Sequence, residues 1–186
     1  MKKTIKTIAL ALGIFAMATA ANAQNTVIVG GEAMYAQKDI VDNAVNSKDH
    51  TTLVAAVKAA GLVETLKMKG PYTVFAPVNT AFDKLPAGTV EGLLKPENKG
   101  KLTGVLTYHV VAGKWDADAL MKLIKEGNGT ATIKTVNGGN LYAMMNGKHN
   151  VVLKDENGRM ANISTYDVYQ SNGVIHVIDQ VVLPKM

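Results

Sequence analysis

Residues 172–184, Asn-Gly-Val-Ile-His-Val-Ile-Asp-Gln-Val-Val-Leu-Pro, constrain the fold of this chain more than any other stretch. In an extended backbone Val174, His176 and Ile178 share one face while Ile175 and Val177 share the other, so both faces are apolar. A strand of this kind needs cover on both sides and predicts an interior place in a sheet. His176, flanked by aliphatic residues, reads as a core histidine whose ring nitrogens are hydrogen-bonded, in preference to a ligand or a catalyst. Residues 73–82 add a second constraint. Val74, Phe75 and Ala76 run into Pro77, which cannot donate to a ladder, and Asn79 then stands where it could cap a helix carrying Phe82 and Leu85. That stretch reads strand, break, helix.

Between and before these blocks the pattern is helical in front and hairpin-rich behind. Asp49 is placed to cap a run in which Leu53, Val54, Val57 and Ala60 recur at helical spacing; Gly61 ends it, and Leu62, Val63 and Leu66 begin a short second piece. Residues 98–106 and 116–125 also predict helices, the second with Asp116 at its cap and Leu120, Leu123 and Ile124 on one side. Beyond Gly127 come Asn-Gly pairs at Asn128, Asn137, Asn146, Asn157 and Asn172, the strongest short hairpin signal. They separate four stretches rich in apolar and β-branched residues, 130–136, 141–145, 151–154 and 160–168, which read as successive antiparallel strands. Helices followed by strands without βαβ alternation predict an α+β class, and the absence of an internal repeat predicts one domain.

The first residues carry an address. Lys2, Lys3 and Lys6 precede an apolar run over residues 8–18, and Ala21-Asn22-Ala23 supplies small residues for a signal peptidase, so residues 1–23 read as a signal peptide cleaved near Ala23. The run is shorter than the roughly 20 residues that cross a bilayer, and a chain without cysteine offers no thiol for an N-terminal lipid. The mature product is therefore expected to be secreted or periplasmic, with no membrane span and no lipid anchor. Processing also changes the charge: 20 Lys and Arg against 15 Asp and Glu become 17 against 15, a net of +2. With no basic stripe interleaved with aromatics, nucleic acid is not an expected partner. Residues 24–37, including Gly30-Gly31, read as an N-terminal arm of unassigned structure.

The two apolar blocks, with Tyr108-His109-Val110-Val111 between them, resemble the two signature blocks and the central Tyr-His element of the fasciclin (FAS1) domain, over residues 38–184. The resemblance implies a compact wedge, with several helices in the N-terminal half and an antiparallel sheet or sandwich in the C-terminal half. It also implies non-catalytic recognition at the cell envelope, either cell adhesion or association with another envelope protein or a surface polysaccharide. One soluble domain bridging two bodies would further require self-association into a homo-oligomer or docking on an anchored partner. In some animal relatives the region around the matching Tyr-His pair is implicated in integrin-dependent adhesion, which makes Tyr108 and His109 candidates for partner contact; extended backbone would place them on opposite faces of a strand. Asp167-Val168 partly matches the Asp-Ile of another adhesion motif in those relatives, with Val for Ile and Tyr166 and Tyr169 as flanks. Asp167 is the best single candidate for partner contact, against the competing role of an aspartate near a turn, which is to cap backbone amides.

Enzymatic readings find little support in the residues. There is no cysteine nucleophile, and none of Ser47, Ser164 and Ser171 sits in a Gly-x-Ser-x-Gly turn. His50, His109, His149 and His176 show no HExxH spacing, so neither a metal nor a cofactor is implied. Asp155-Glu156-Asn157-Gly158 lacks the glycine and the glutamate of a calcium loop and reads as a hairpin turn. The competing functional class is a small-molecule carrier for a lipid or glycan, or a hydrolase whose groups converge only in space, using a pocket between helices and sheet.

Overall fold

The computed structural model describes residues 26–185. The predicted signal segment lies outside the described residues. A hairpin comes first, β1 (Val27–Val29) and β2 (Glu32–Met34), followed by α1 (Ile40–Ala44), α2 (Thr51–Ala60) and α3 (Val63–Lys67). Then β3 (Tyr72–Pro77) leads through α4 (Asn79–Asp83), α5 (Thr89–Leu93) and α6 (Lys99–Tyr108) to β4 (Val110–Ala112) and α7 (Ala117–Glu126). The rest is strand: β5 (Thr130–Lys134), β6 (Asn140–Asn146), β7 (Asn150–Lys154), β8 (Met160–Gln170) and β9 (Gly173–Ile178).

Seven strands form one sheet in the order β4-β3-β9-β8-β7-β6-β5. The closing strand β9 is therefore interior, as its two apolar faces require, and all six of its residues are buried. Its neighbours join two distant blocks of the sequence. β3 runs parallel to β9, with Val74 opposite Ile175 and Phe75 opposite His176, while β8 and β4 pair antiparallel on either side. The sheet is thus mixed at its centre and antiparallel from β9 through β5. Gly147 (φ 81°) and Gly158 (φ 82°) take the left-handed turns that close β6–β7 and β7–β8, which is what the Asn-Gly pairs there predict.

Each face of the sheet has its own core. Ile175, Val177, Val74, Ala76 and Val110 pack under α2 and α6 with Leu53, Ala56, Leu102 and Leu106. Phe75 and Ile178 face the other way, into a cluster with Leu120 and Ile124 of α7 and the inward residues of β5–β8. β8 reaches both halves: its first residues pair with β7 and its last with β9, and two register shifts between Ile163 and Val168 bend it.

Four expectations change on contact with the fold. Residues 24–37 read as an arm of unassigned structure, and those described from 26 onward form the β1–β2 hairpin, which buries Val29 and Met34 in a core shared with α2. Asn79 begins α4 but caps another helix: its carboxamide oxygen accepts from Thr52 N at 3.0 Å and Thr51 Oγ1 at 3.2 Å, at the start of α2. Asp49, expected in that role, lies instead in the short 3₁₀ turn Lys48–His50. Finally, Tyr108 and His109 are not in a strand. α6 runs on through Tyr108, His109 is its C-cap, and β4 starts only at Val110.

Candidate functional site

The side chains singled out in the sequence are mostly interior. Tyr108 is fully buried; its hydroxyl donates to Asn140 O at 2.6 Å and accepts from Glu156 N at 3.2 Å. Burial is the main cause that pushes its phenol up to about 12. His109 is buried as well. Val182 N donates to its Nε2 at 3.2 Å, so Nδ1 carries the proton and donates to Val105 O at 2.9 Å. Desolvation pushes that imidazole down to about 4, leaving it neutral in ordinary buffers. With both nitrogens bonded to backbone, His109 ties the segment after β9 to the end of α6.

Asp167 and Val168 lie on the bent part of β8. Val168 is 1% exposed and packs under the helical layer. Asp167 sits at φ 55°, an uncommon value for an aspartate, and its carboxylate accepts from Ala117 N at 2.8 Å, the first residue of α7. Asp116 caps the same helix end from within the chain, accepting from Ala119 N at 3.0 Å. Two carboxylates therefore meet the positive end of one helix. His176 completes the arrangement: Nε2 donates to Trp115 O at 2.7 Å, and the ring lies 5.7 Å from Phe75, stacked. Thr73 adds a double link, donating to Gly113 O and accepting from Trp115 N, each at 2.8 Å. Together Thr73, Asp167 and His176 pin the connection between β4 and α7 to the sheet. These groups form a structural hub, with Asp167 as a cap and its companions sealed away from solvent.

A concave apolar feature of substantial size lies elsewhere, between the sheet and helices α1–α3. It is a cavity of about 330 Å³. Its floor is a row across three strands, Ile175, Val74 and Val110, which face one another in register. The row continues to Val136, whose amide donates to Val110 O at 2.8 Å. Leu53, Val54 and Val57 of α2 line it, with Val41, Leu62 and Leu66. Val45 and Val136, both lining residues, are 45% and 50% exposed, so the cavity opens to solvent. Of the charged residues against it, Lys67 is held by Asp42 at 2.7 Å and Asp39 at 3.7 Å, while Lys58 is exposed and forms no ion pair among the described residues. His109 borders the cavity but brings no charge to it.

Protein interiors carry few voids larger than a water molecule. Opening to solvent relieves this hollow of the cost of a sealed void, and its walls are held in place by specific contacts, those of Asn172 among them. Its side-chain oxygen accepts from Ile40 N at 3.0 Å, and its nitrogen donates to Leu66 O at 2.8 Å and Met68 O at 3.2 Å. One buried carboxamide thereby fixes α1 and the end of α3, two walls of the cavity, to the turn before β9. In the sequence Asn172 reads only as a turn residue, since nothing local signals that its side chain points inward. Among the described residues, no group of three or more His, Asp and Glu gathers as metal ligands would, and no helix is long and apolar enough to cross a membrane.

Comparison with known proteins gives the same architecture. The chain is 43% identical over 180 residues to protein sll1483 of Synechocystis, covering 96% of this chain and 91% of that one. It is 35% identical over 153 residues to the immunogenic protein MPB70 of Mycobacterium bovis, covering 80% and 70%. It is also 33% identical over 167 residues to the cell surface glycolipoprotein MPB83 of the same species, covering 87% and 68%. A FAS1 domain pair from the insect cell adhesion molecule fasciclin I superposes with a TM-score of 0.59 at 21% identity, over 76% of this chain and 45% of that one. The fasciclin domain model matches residues 48–184, and the chain belongs to the fasciclin domain family.

Proposed function

We propose that this chain is a non-catalytic extracytoplasmic recognition module, serving adhesion or protein association at the cell envelope, and that its contact face surrounds the mouth of the helix–sheet cavity. The observation that carries this reading is the solvent-open apolar cavity itself, bordered by half-exposed Val45 and Val136 and by the charges of Asp42, Lys58 and Lys67. An apolar centre with a polar rim is the usual anatomy of a contact site. Two of the imidazoles are engaged structurally: His109 and His176 bond backbone through both ring nitrogens. Relatives described as a cell surface glycolipoprotein and a cell adhesion molecule support an exterior role.

The test is binding of the labelled mature protein to envelopes of host cells that lack it. Saturable binding, displaced by unlabelled protein, is expected; uptake that is linear in concentration and not displaced refutes the reading. A second reading, a small-molecule carrier, is favoured by one observation: a cavity of about 330 Å³ is the size of a small-ligand site and is recessed rather than flat.

A further inference from the structure

The shape of the cavity says more about an occupant than its volume alone. Its floor is a single row of aliphatic residues that crosses the sheet at right angles to the strands, from Ile175 through Val74 and Val110 to Val136. With strands about 4.8 Å apart, the two spacings from Ile175 to Val110 span about 10 Å, and the turn residue Val136, bonded through its amide to Val110 O, extends the trough to about 14 Å. An extended chain advances about 1.2 Å per bond, taking about 3.5 Å for the three bonds of a residue, so about twelve bonds cover that distance. The trough follows one row of side chains, which suits a single extended, unbranched chain.

The rim adds a sign. Lys67 is paired with both Asp39 and Asp42, a cluster of net charge −1, whereas Lys58, on α2 one residue after the lining Val57, has no ion-pair partner among the described residues and is the rim's one cation free to meet an anionic head group. The deeper polar groups offer little competition for a head group, since both nitrogens of His109 are bonded to backbone. We infer that the cavity binds a free, unbranched fatty acid of about ten to twelve carbons, its chain lying along the Ile175–Val74–Val110–Val136 row and its carboxylate facing Lys58. This rests on the carrier reading and names its cargo.

Calorimetric titration of the mature protein with sodium laurate below its micellar concentration tests the assignment, with dodecanol and hexanoate as comparisons. One saturable site for laurate is expected. Dodecanol should bind about fivefold more weakly, the worth of one exposed ion pair. Hexanoate should bind at least a hundredfold more weakly for want of six methylenes. Lys58→Glu should erase the preference for laurate over dodecanol, and Val57→Phe, which fills the trough, should lower the affinity for both at least tenfold while the circular dichroism spectrum is retained. Should Val57→Phe not fold, Lys58→Glu still decides: an unchanged laurate preference overturns the inference. So does the absence of a saturable site for laurate, whether protein binds to phosphatidylglycerol vesicles instead or light scattering shows a second copy covering the mouth. Failure here with saturable envelope binding intact removes the cargo and leaves the recognition reading. The opposite pattern removes recognition alone.

Discussion

Acidification should loosen this protein through His109. The imidazole is buried among apolar residues, bonded at Nδ1 to Val105 O and at Nε2 by Val182 N, and its pKa is pushed down to about 4 against an ordinary 6.5. In the unfolded chain the ring takes up its proton near 6.5, so below that pH the unfolded state binds more protons than the folded one. Stability is therefore full above about pH 6.5 and declines as the pH falls toward 4. At 1.36 kcal/mol per pKa unit, linkage gives a loss of about 2 kcal/mol at pH 5 and about 3 kcal/mol at pH 4 from this one group. Charging the ring also abolishes the acceptor that Val182 N needs. His50 and His176, both lowered chiefly by desolvation, act in the same direction. The assay is urea unfolding followed by the fluorescence of Trp115 at pH 7.5 and pH 5, in wild type and in His109→Gln. The variant loses stability at pH 7.5 because a hydrogen-bonded ring is removed, but its further loss on going to pH 5 should be about 2 kcal/mol smaller than that of wild type. Equal losses in the two proteins would refute the linkage argument, because the titrating group would lie elsewhere.

Asp167→Ala removes a helix cap and leaves a β-carbon at φ 55°, so it should cost about 2 kcal/mol, with Asp167→Asn recovering much of it; urea midpoints measure both, and a neutral Asp167→Ala would disprove the capping role. Asn79→Ala should cost about 1 kcal/mol and expose the amide of Thr52, at the start of α2, to faster hydrogen exchange, without a matching change at the start of α4; acceleration confined to α4 would contradict the cap seen here.

Much of the fold was legible because it follows from periodicity and punctuation. The double-sided apolar run of β9 announces an interior strand, and the Asn-Gly pairs at 146 and 157 announce the hairpins beside β7. The failures share a cause. Tyr-His-Val-Val has strong strand character, yet α6 continues through Tyr108 because the phenol gains Asn140 O and Glu156 N as partners, and the imidazole gains Val105 O and Val182 N. Asn79 and Asn172 misled similarly: each was read from its local chain, and each acts on residues tens of positions away. A pocket between helices and sheet is expected on the carrier or hydrolase reading, but its lining is not legible, because those residues come from α1, α2, α3, α6, β3, β4 and β9, which meet only in space. Resemblance alone makes Asp167 a contact candidate. The rival reading, an aspartate capping amides, is the one its hydrogen bond to Ala117 N supports.

The pairing of β3 with β9 has a consequence for how the chain is made. The middle of the sheet joins an early strand to the final one, so a nascent chain that has reached only β8 has a gap where its two halves should meet. Contacts of such long sequence separation form late, since the entropy of closing the loop comes due before the strands can reward it. Until Ile178 has been synthesised, the parallel partner of β3 is missing and the centre of the sheet cannot close. The two cores, one on each face, thus share a single late event: both wait for β9 to supply their common wall.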